Sequence, residues 1–327
     1  MPTPEQVEQR NSELRKALVH SFGPVVMRAL EDPDVVEIML NDDGSLWIEA
    51  NGYMRRAGEI SHDDAMAILA QVSDALNGEL SREHPVVEGE LVLLNGERFQ
   101  GVSTPVAENP IFTIRKKAIK LYQLDEYVRA KTLSFAQAEL IRTAIKERQN
   151  ILVIGGTGSG KTTFCNAILD ELNRLTPDVR MLLLEDTREL QCSLPNRLFL
   201  RTSPWTTMAD LAIAANRLRP DSISVGEVRA GAAALSLLKL WNTGHPGGLA
   251  TAHANSAYEG LTRLDQLIQE VSSFPQRVLI GEAVNVVIFL KKEKDPVTNK
   301  VQRRVKEIVR VKGYDEMSKK FILENIN

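Results

Sequence analysis

The chain has 327 residues, a hydrophobic fraction of 43 %, a charged fraction of 25 % and a formal net charge of −3. That length suggests two domains with ample material for a core, and no apolar run approaches the roughly 20 residues that span a bilayer, so any membrane role is expected to be peripheral. Net acidity and an aromatic content of 5 % weigh against a protein that coats nucleic acid, which needs basic surface interleaved with stacking rings.

Residues 1–6 are polar and lack the apolar centre of a signal peptide, so a cytoplasmic location is expected. Val7, Leu14, Leu18, Phe22, Val25 and Leu30 recur at helical spacings over 5–31, with Gly23-Pro24 expected to interrupt the helix. Short strands follow over 35–40 and 45–49 around the turn residues 41–44. Ser61 can cap a helix with Asp64, burying Ala65, Ile68, Leu69, Val72 and Leu76, and Asn77-Gly78 closes it. Runs over 90–94 and 97–102 flank Asn95-Gly96, the dipeptide best suited to a two-residue hairpin turn, and 111–115 reads as one more strand. Residues 1–115 are therefore expected to form an α+β domain, and the basic, weakly periodic segment 116–132 a linker. The second domain is expected over 133–327, opening with a helix capped by Ser134 and Gln137.

In that second domain the apolar run 151–154 leads into Gly155, Gly156, Thr157, Gly158, Ser159, Gly160, Lys161, Thr162 and Thr163. Four residues separate Gly155 from Gly160-Lys161-Thr162, which is the spacing of a phosphate-binding P-loop. Its glycines let several backbone N–H groups face phosphate oxygens, Lys161 can reach the β- and γ-phosphates, and the Thr162 hydroxyl can hold Mg²⁺. The helix that follows, through Phe164, Ile168 and Leu172, aims the positive end of its dipole at the same anion. Strands over 181–184, 222–225, 249–252 and 284–290 then alternate with helices, implying a mainly parallel, helix-covered sheet; 301–326 adds edge strands.

Carboxylates follow two of these strands. Glu185 to Leu190 places acids at the C-terminal edge of the sheet, where open α/β folds bind ligands, and Glu185 is a candidate second Mg²⁺ ligand beside Thr162. Gly226 leaves Glu227 where a carboxylate can orient an attacking water or the Mg²⁺ shell; the alternative is a salt bridge to Arg219 or Arg229. His245 and His253 flank a glycine-rich turn without metal-ligand spacing, so hydrogen-bonding roles near the γ-phosphate are expected of them. The two cysteines, Cys165 and Cys192, support neither a disulfide framework nor a zinc site.

These boxes occur in one order: the P-loop; Glu185-Asp186-Thr187-Arg188-Glu189-Leu190; Arg219-Pro220-Asp221 leading to Gly226-Glu227-Val228-Arg229; and Thr243-Gly244-His245-Pro246-Gly247 leading to His253-Ala254-Asn255. The chain thereby resembles the ATPases of type II and type IV secretion machines. Lacking the cysteine tetrad of metal-binding type II members, it is more similar to the type IV, conjugal-transfer branch. The resemblance implies a RecA-like P-loop ATPase domain, a homo-hexameric ring, and an N-terminal domain whose arginines complete the nucleotide site. Position by position it makes Glu185 part of the acidic box, Glu227 the catalytic carboxylate and His253 part of the histidine box, with Arg98 and Arg115 in the places of phosphate-contacting arginines. Lys161, Glu227, His253 and Glu185 are thus the expected catalytic residues of an ATP hydrolase using ATP and Mg²⁺. Its expected work is assembly of, or transfer through, a conjugative type IV secretion system, with partners at the inner face of the cytoplasmic membrane. A pilus-retraction motor, a nucleic-acid translocase and a nucleotide-gated scaffold are the alternatives; direct nucleic-acid binding and a zinc site are not expected.

Overall fold

The structure is a computed structural model that describes residues 3–50, 52–117, 121–203, 205–294 and 301–326. The chain divides into two compact units, Met1–Ile119 and Lys120–Asn327. Residues 118–120 of the expected linker lie outside the described residues.

The first unit comprises α1 (Pro4–Glu31), β1 (Val35–Leu40), β2 (Ser45–Ala50), β3 (Tyr53–Glu59), α2 (His62–Ala75), β4 (Val86–Leu91), β5 (Glu97–Val102) and β6 (Ile111–Arg115). Its six strands form an antiparallel sheet in the order β3-β2-β1-β6-β5-β4. Leu18, Phe22 and Val26 of α1 and Ile68, Leu69 and Val72 of α2 bury against Ile38, Phe99, Phe112 and Ile114 of the sheet. Each such side chain removed from water contributes about 1.5–3 kcal/mol. Gly23, at φ 66°, bends α1 before Pro24, as the sequence suggested, and both halves stay helical.

The hairpin at Asn95-Gly96 differs from the two-residue turn expected there. β4 ends at Leu91, which pairs with Glu97, so residues 92–96 all belong to the connection. Leu91 is buried while Val92 is 73 % exposed, and the Leu91 carbonyl accepts from the Leu94 and Gly96 amides. Glu97, itself buried, closes the loop by accepting from the backbone and side chain of Asn95 at 2.9 and 3.1 Å. The buried carboxylate holds a wider turn than the dipeptide alone would choose.

The second unit comprises α3 (Leu124–Arg129), α4 (Phe135–Lys146), β7 (Ile151–Gly155), α5 (Lys161–Leu175), β8 (Met181–Glu185), β9 (Arg197–Arg201), α6 (Met208–Ala215), β10 (Ser222–Val225), α7 (Gly231–Asn242), β11 (Leu249–Ala252), α8 (Ala257–Gln269), α9 (Arg277–Ala283), β12 (Val286–Lys294), β13 (Val301–Asp315) and β14 (Lys320–Asn325). These strands form one sheet in the order β14-β13-β12-β7-β11-β10-β8-β9. Pairing is parallel from β12 through to β9, and antiparallel where β13 and β14 are added at the other edge. Every residue of β7 is buried, as a central strand covered on both faces requires. Two apolar layers cover those faces. One is built largely from α6, α7, α8 and α9, the other from α3, α4 and α5. α5 is fastened to α4 through Glu171, a buried carboxylate bonded by Arg142 at 2.7 Å and by Arg174. Burial pushes that carboxyl upward, but the two guanidinium groups outweigh it and hold it below the ordinary range.

Candidate functional site

Strand register assembles the site. Ile154 of β7 lies opposite Ala252 of β11 and Phe289 of β12, and Val225 of β10 lies opposite Leu184 of β8. Gly155, Glu185, Glu227 and His253 therefore leave the sheet together at the C-terminal ends of neighbouring strands.

The P-loop carries the geometry that its sequence demands. A Cβ at Gly155 would collide with the Leu290 carbonyl and with Ser159 Oγ, and Gly160 sits at φ 90° as the N-cap of α5. Only glycine fits either position without strain. Gly160 offers no side-chain cap, so the first N–H groups of α5 have neither an intrahelical acceptor nor a capping oxygen. Ser159 Oγ is buried with no hydrogen-bond partner among the described residues. Uncapped amides and an orphaned hydroxyl around a tight glycine turn fit a polyphosphate.

Lys161, at 8 % exposure, folds back over this loop. Its Nζ donates to the Gly155 and Gly156 carbonyls at 3.0 and 3.2 Å and lies 3.4 Å from His253 Nδ1. His253 Nε2 in turn lies 2.8 Å from Glu227 Oε1, and Arg229 Nη2 donates to Glu227 Oε2 at 2.6 Å. Lys161, His253, Glu227 and Arg229 thus form one connected row. Burial and the Lys161 charge depress the His253 pKa, so the imidazole is neutral at pH 7. A neutral ring accepting from Lys161 at Nδ1 must carry its proton on Nε2 and donate to Glu227, which makes this contact a hydrogen bond rather than an ion pair. Burial also pushes Glu227 upward, but Arg229, His253 and Lys161 together hold its carboxyl below the ordinary range. The Glu227 backbone is pinned on both sides. Gly226 N donates to the Leu184 carbonyl, Thr251 Oγ1 to the Gly226 carbonyl and Val228 N to the Thr251 carbonyl.

Glu185 stands differently. It is 3 % exposed, and its Oε1 accepts from the Glu189 and Leu190 amides at 2.9 and 2.8 Å, holding the acidic box in its turn. Burial raises its pKa. Asn166 of α5 ties this turn to the P-loop helix, accepting from Gln191 N at 2.8 Å and donating to the Glu189 carbonyl at 3.3 Å. Among the described residues no group of three or more His, Cys, Asp or Glu side chains could hold a metal ion. A Mg²⁺ carried by phosphate oxygens and one or two side chains such as Thr162 needs no such cage.

Arg98 and Arg115 belong to the first unit. They face each other across β5 and β6, with Glu90 beyond Arg98 and Glu37 beyond Arg115 in the same cross-strand row. Two like charges placed side by side are disfavoured unless flanked by opposite ones, and the register supplies a carboxylate on each side.

The salt bridge to Arg229 that the sequence offered as the alternative for Glu227 is present, while sequence reasoning did not bring out Asn166 or the His253 contact with the second oxygen of that carboxylate. The Glu227-Val228-Arg229 spacing is the signal that carried the bridge. The His253 contact needs the pairing of β11 with β10, which sets Ala250 opposite Val225.

A family model described as "Type II/IV secretion system protein" matches residues 96–322. The chain belongs to the type II/IV secretion system protein family. Among relatives in this family, the conjugal transfer protein TrbB of Rhizobium radiobacter is 45 % identical over 302 residues, covering 92 % of this chain and 91 % of that protein. A Sinorhizobium fredii protein described as "Probable conjugal transfer protein TrbB" is 46 % identical over 311 residues, covering 95 % and 93 %. The solved pilus retraction motor PilT with bound ADP superposes with a TM-score of 0.62 at 18 % identity, over 90 % of this chain and 83 % of that one, a likeness of fold alone. The type II/IV secretion fold expected from the motif boxes, an α+β unit followed by a RecA-like α/β unit with a mainly parallel sheet, is the fold observed.

Proposed function

We propose that this protein is an ATP hydrolase, forms a homo-hexameric ring, and powers assembly of, or substrate transfer through, a conjugative type IV secretion system. The observation that carries this reading is the connected row from the P-loop lysine through His253 to Glu227; the TrbB relatives support the conjugative setting. In this reading the P-loop amides and Lys161 bind the triphosphate, and Thr162 and Glu185 would hold Mg²⁺. The bound Mg²⁺ supplies charge neutralisation of the β- and γ-phosphates. Glu227 orients the attacking water and accepts its proton, and His253 fixes the carboxylate and senses the lysine. Arg98 and Arg115 are the proposed phosphate-contacting arginines. Neighbouring components at the inner face of the cytoplasmic membrane are the proposed partners, and among the described residues no helix is long and apolar enough to cross that membrane.

Phosphate release with Mg²⁺-ATP, followed beside solution mass measurement with a non-hydrolysable analogue, tests the reading. Turnover and a six-fold mass are expected; a chain that stays monomeric at every concentration and releases no phosphate would overturn it.

The row also sets a pH dependence. His253 has its pKa lowered below the ordinary 6.5, so the competent neutral ring is present at pH 7 and is lost only as pH falls through that depressed value. Glu227, also lowered, stays ionised over the same interval. We expect kcat/KM to fall with a single proton on the acid side, beginning below about 6.5, and His253→Gln to flatten that limb. An acid limb unchanged in His253→Gln would remove His253 from this role.

A further inference from the structure

We propose that Arg303 of β13 is a positioning residue for the P-loop, bracing it from outside all four motif boxes. The inference rests on the ATP-hydrolase reading of the same site.

β12 pairs with β7 only as far as Leu290 opposite Gly155, and then continues through Lys294 beyond the end of its neighbour. This overshoot carries the β12–β13 pair up beside the P-loop, with Lys292 and Arg303 directly opposite each other. Arg303 Nε donates to the Gly158 carbonyl at 3.1 Å. Its Cδ lies 3.2 Å from where a Cβ on Gly160 would stand, and Lys292 Nζ lies 3.5 Å from the same point on Gly158. Gly158 and Gly160, both with left-handed φ at 68° and 90°, therefore both face this strand pair.

A glycine-rich loop gains freedom from its missing side chains, and each of its peptides can turn over at little cost. The Arg303 hydrogen bond fixes the Gly158 carbonyl outward, and the arginine stem limits movement at Gly160. Without them the loop occupies its binding conformation for a smaller fraction of the time, and apparent affinity falls by that fraction. The brace touches the loop and not the reacting atoms, so its loss weakens binding in ground and transition state alike and leaves kcat nearly untouched.

Two variants separate the possibilities. Arg303→Met keeps the stem and removes the donor; Arg303→Gln places an amide nitrogen where Nε was, without charge. Loss of one ordinary hydrogen bond predicts, for Arg303→Met, an ATP Kd and KM raised about fivefold at unchanged Tm, with kcat within about twofold. Hydrogen exchange over residues 155–163 of the nucleotide-free protein should accelerate by about the same factor, and Arg303→Gln should restore affinity and exchange. Wild-type affinity and exchange in Arg303→Met overturn the brace, as does a fall in Tm that accounts for the loss. Arg303→Gln as impaired as Arg303→Met also overturns it, since the effect is then one of bulk charge. If the wild-type protein binds no ATP, the functional reading fails, while loop exchange in Arg303→Met still decides the brace.

Discussion

Lys161→Ala is expected to abolish ATP hydrolysis, lowering kcat by at least about a hundredfold, and to weaken ATP binding. The size follows from where the ammonium sits. Lys161 is buried against the loop's own carbonyls at 3.0 and 3.2 Å and reaches His253 at 3.4 Å, so alanine removes a charge from the proposed phosphate site and its link to the row through His253 to Glu227 together. Lys161 is itself buried, and a charge missing from a buried position costs more than one missing from a surface. Phosphate release and calorimetric titration with ATP check the two halves. Turnover within a few-fold of wild type would mean that the P-loop serves something other than phosphoryl transfer.

Glu227→Gln should separate what Lys161→Ala loses together. Glutamine keeps the shape, and its one carbonyl oxygen can still accept from Arg229 or His253, but it can take no proton from the attacking water. General-base removal of this kind costs about 10²- to 10⁴-fold in kcat, while ATP affinity should stay within a few-fold, leaving a protein that holds ATP unhydrolysed. Single-turnover measurement with radiolabelled ATP distinguishes a trapped substrate from a trapped product. Wild-type turnover in this variant would remove Glu227 from catalysis and leave the Arg229 contact, 2.6 Å long, as a structural bridge.

What the sequence made legible was what sits close together along the chain. The P-loop is contiguous, and its glycines, lysine and threonine each have one mechanical use; the core face of α2 was readable from helical spacing, and that of α1 at Leu18, Phe22 and Leu30, whereas Val7 is exposed and Val26 and Ala29 carry the rest of its buried face. The strands that escaped were β3, exposed over most of its length, and the edge strand β9, whose arginine termini look like loop. β3 carries no apolar signal of a buried strand, and the apolar run of β9 is only the three residues 198–200 between arginines. α3 hid inside the basic linker because six residues are too few to show a period. In the site, Lys161 and His253 are 92 residues apart, and nothing local announces their contact; it follows from β11 lying beside β7. Arg303 belongs to no motif at all, and only the overshoot of β12 gives it a place.

The position of β7 also governs when this protein can complete itself. Both neighbours of β7 come late: Ile151 pairs with Leu249 on one side and with Val286 on the other. A ribosome adding roughly 5–20 residues each second therefore leaves the apolar P-loop strand without its second flanking strand for about ten seconds. The first unit, whose sheet is closed by residue 115, can fold within that interval. Late-closing pairings of this kind are slow and expose sticky strands meanwhile. Synthesis of this chain thus has a vulnerable window between emergence of the P-loop and of β12, in which a chaperone that shelters apolar segments would have its greatest effect on yield.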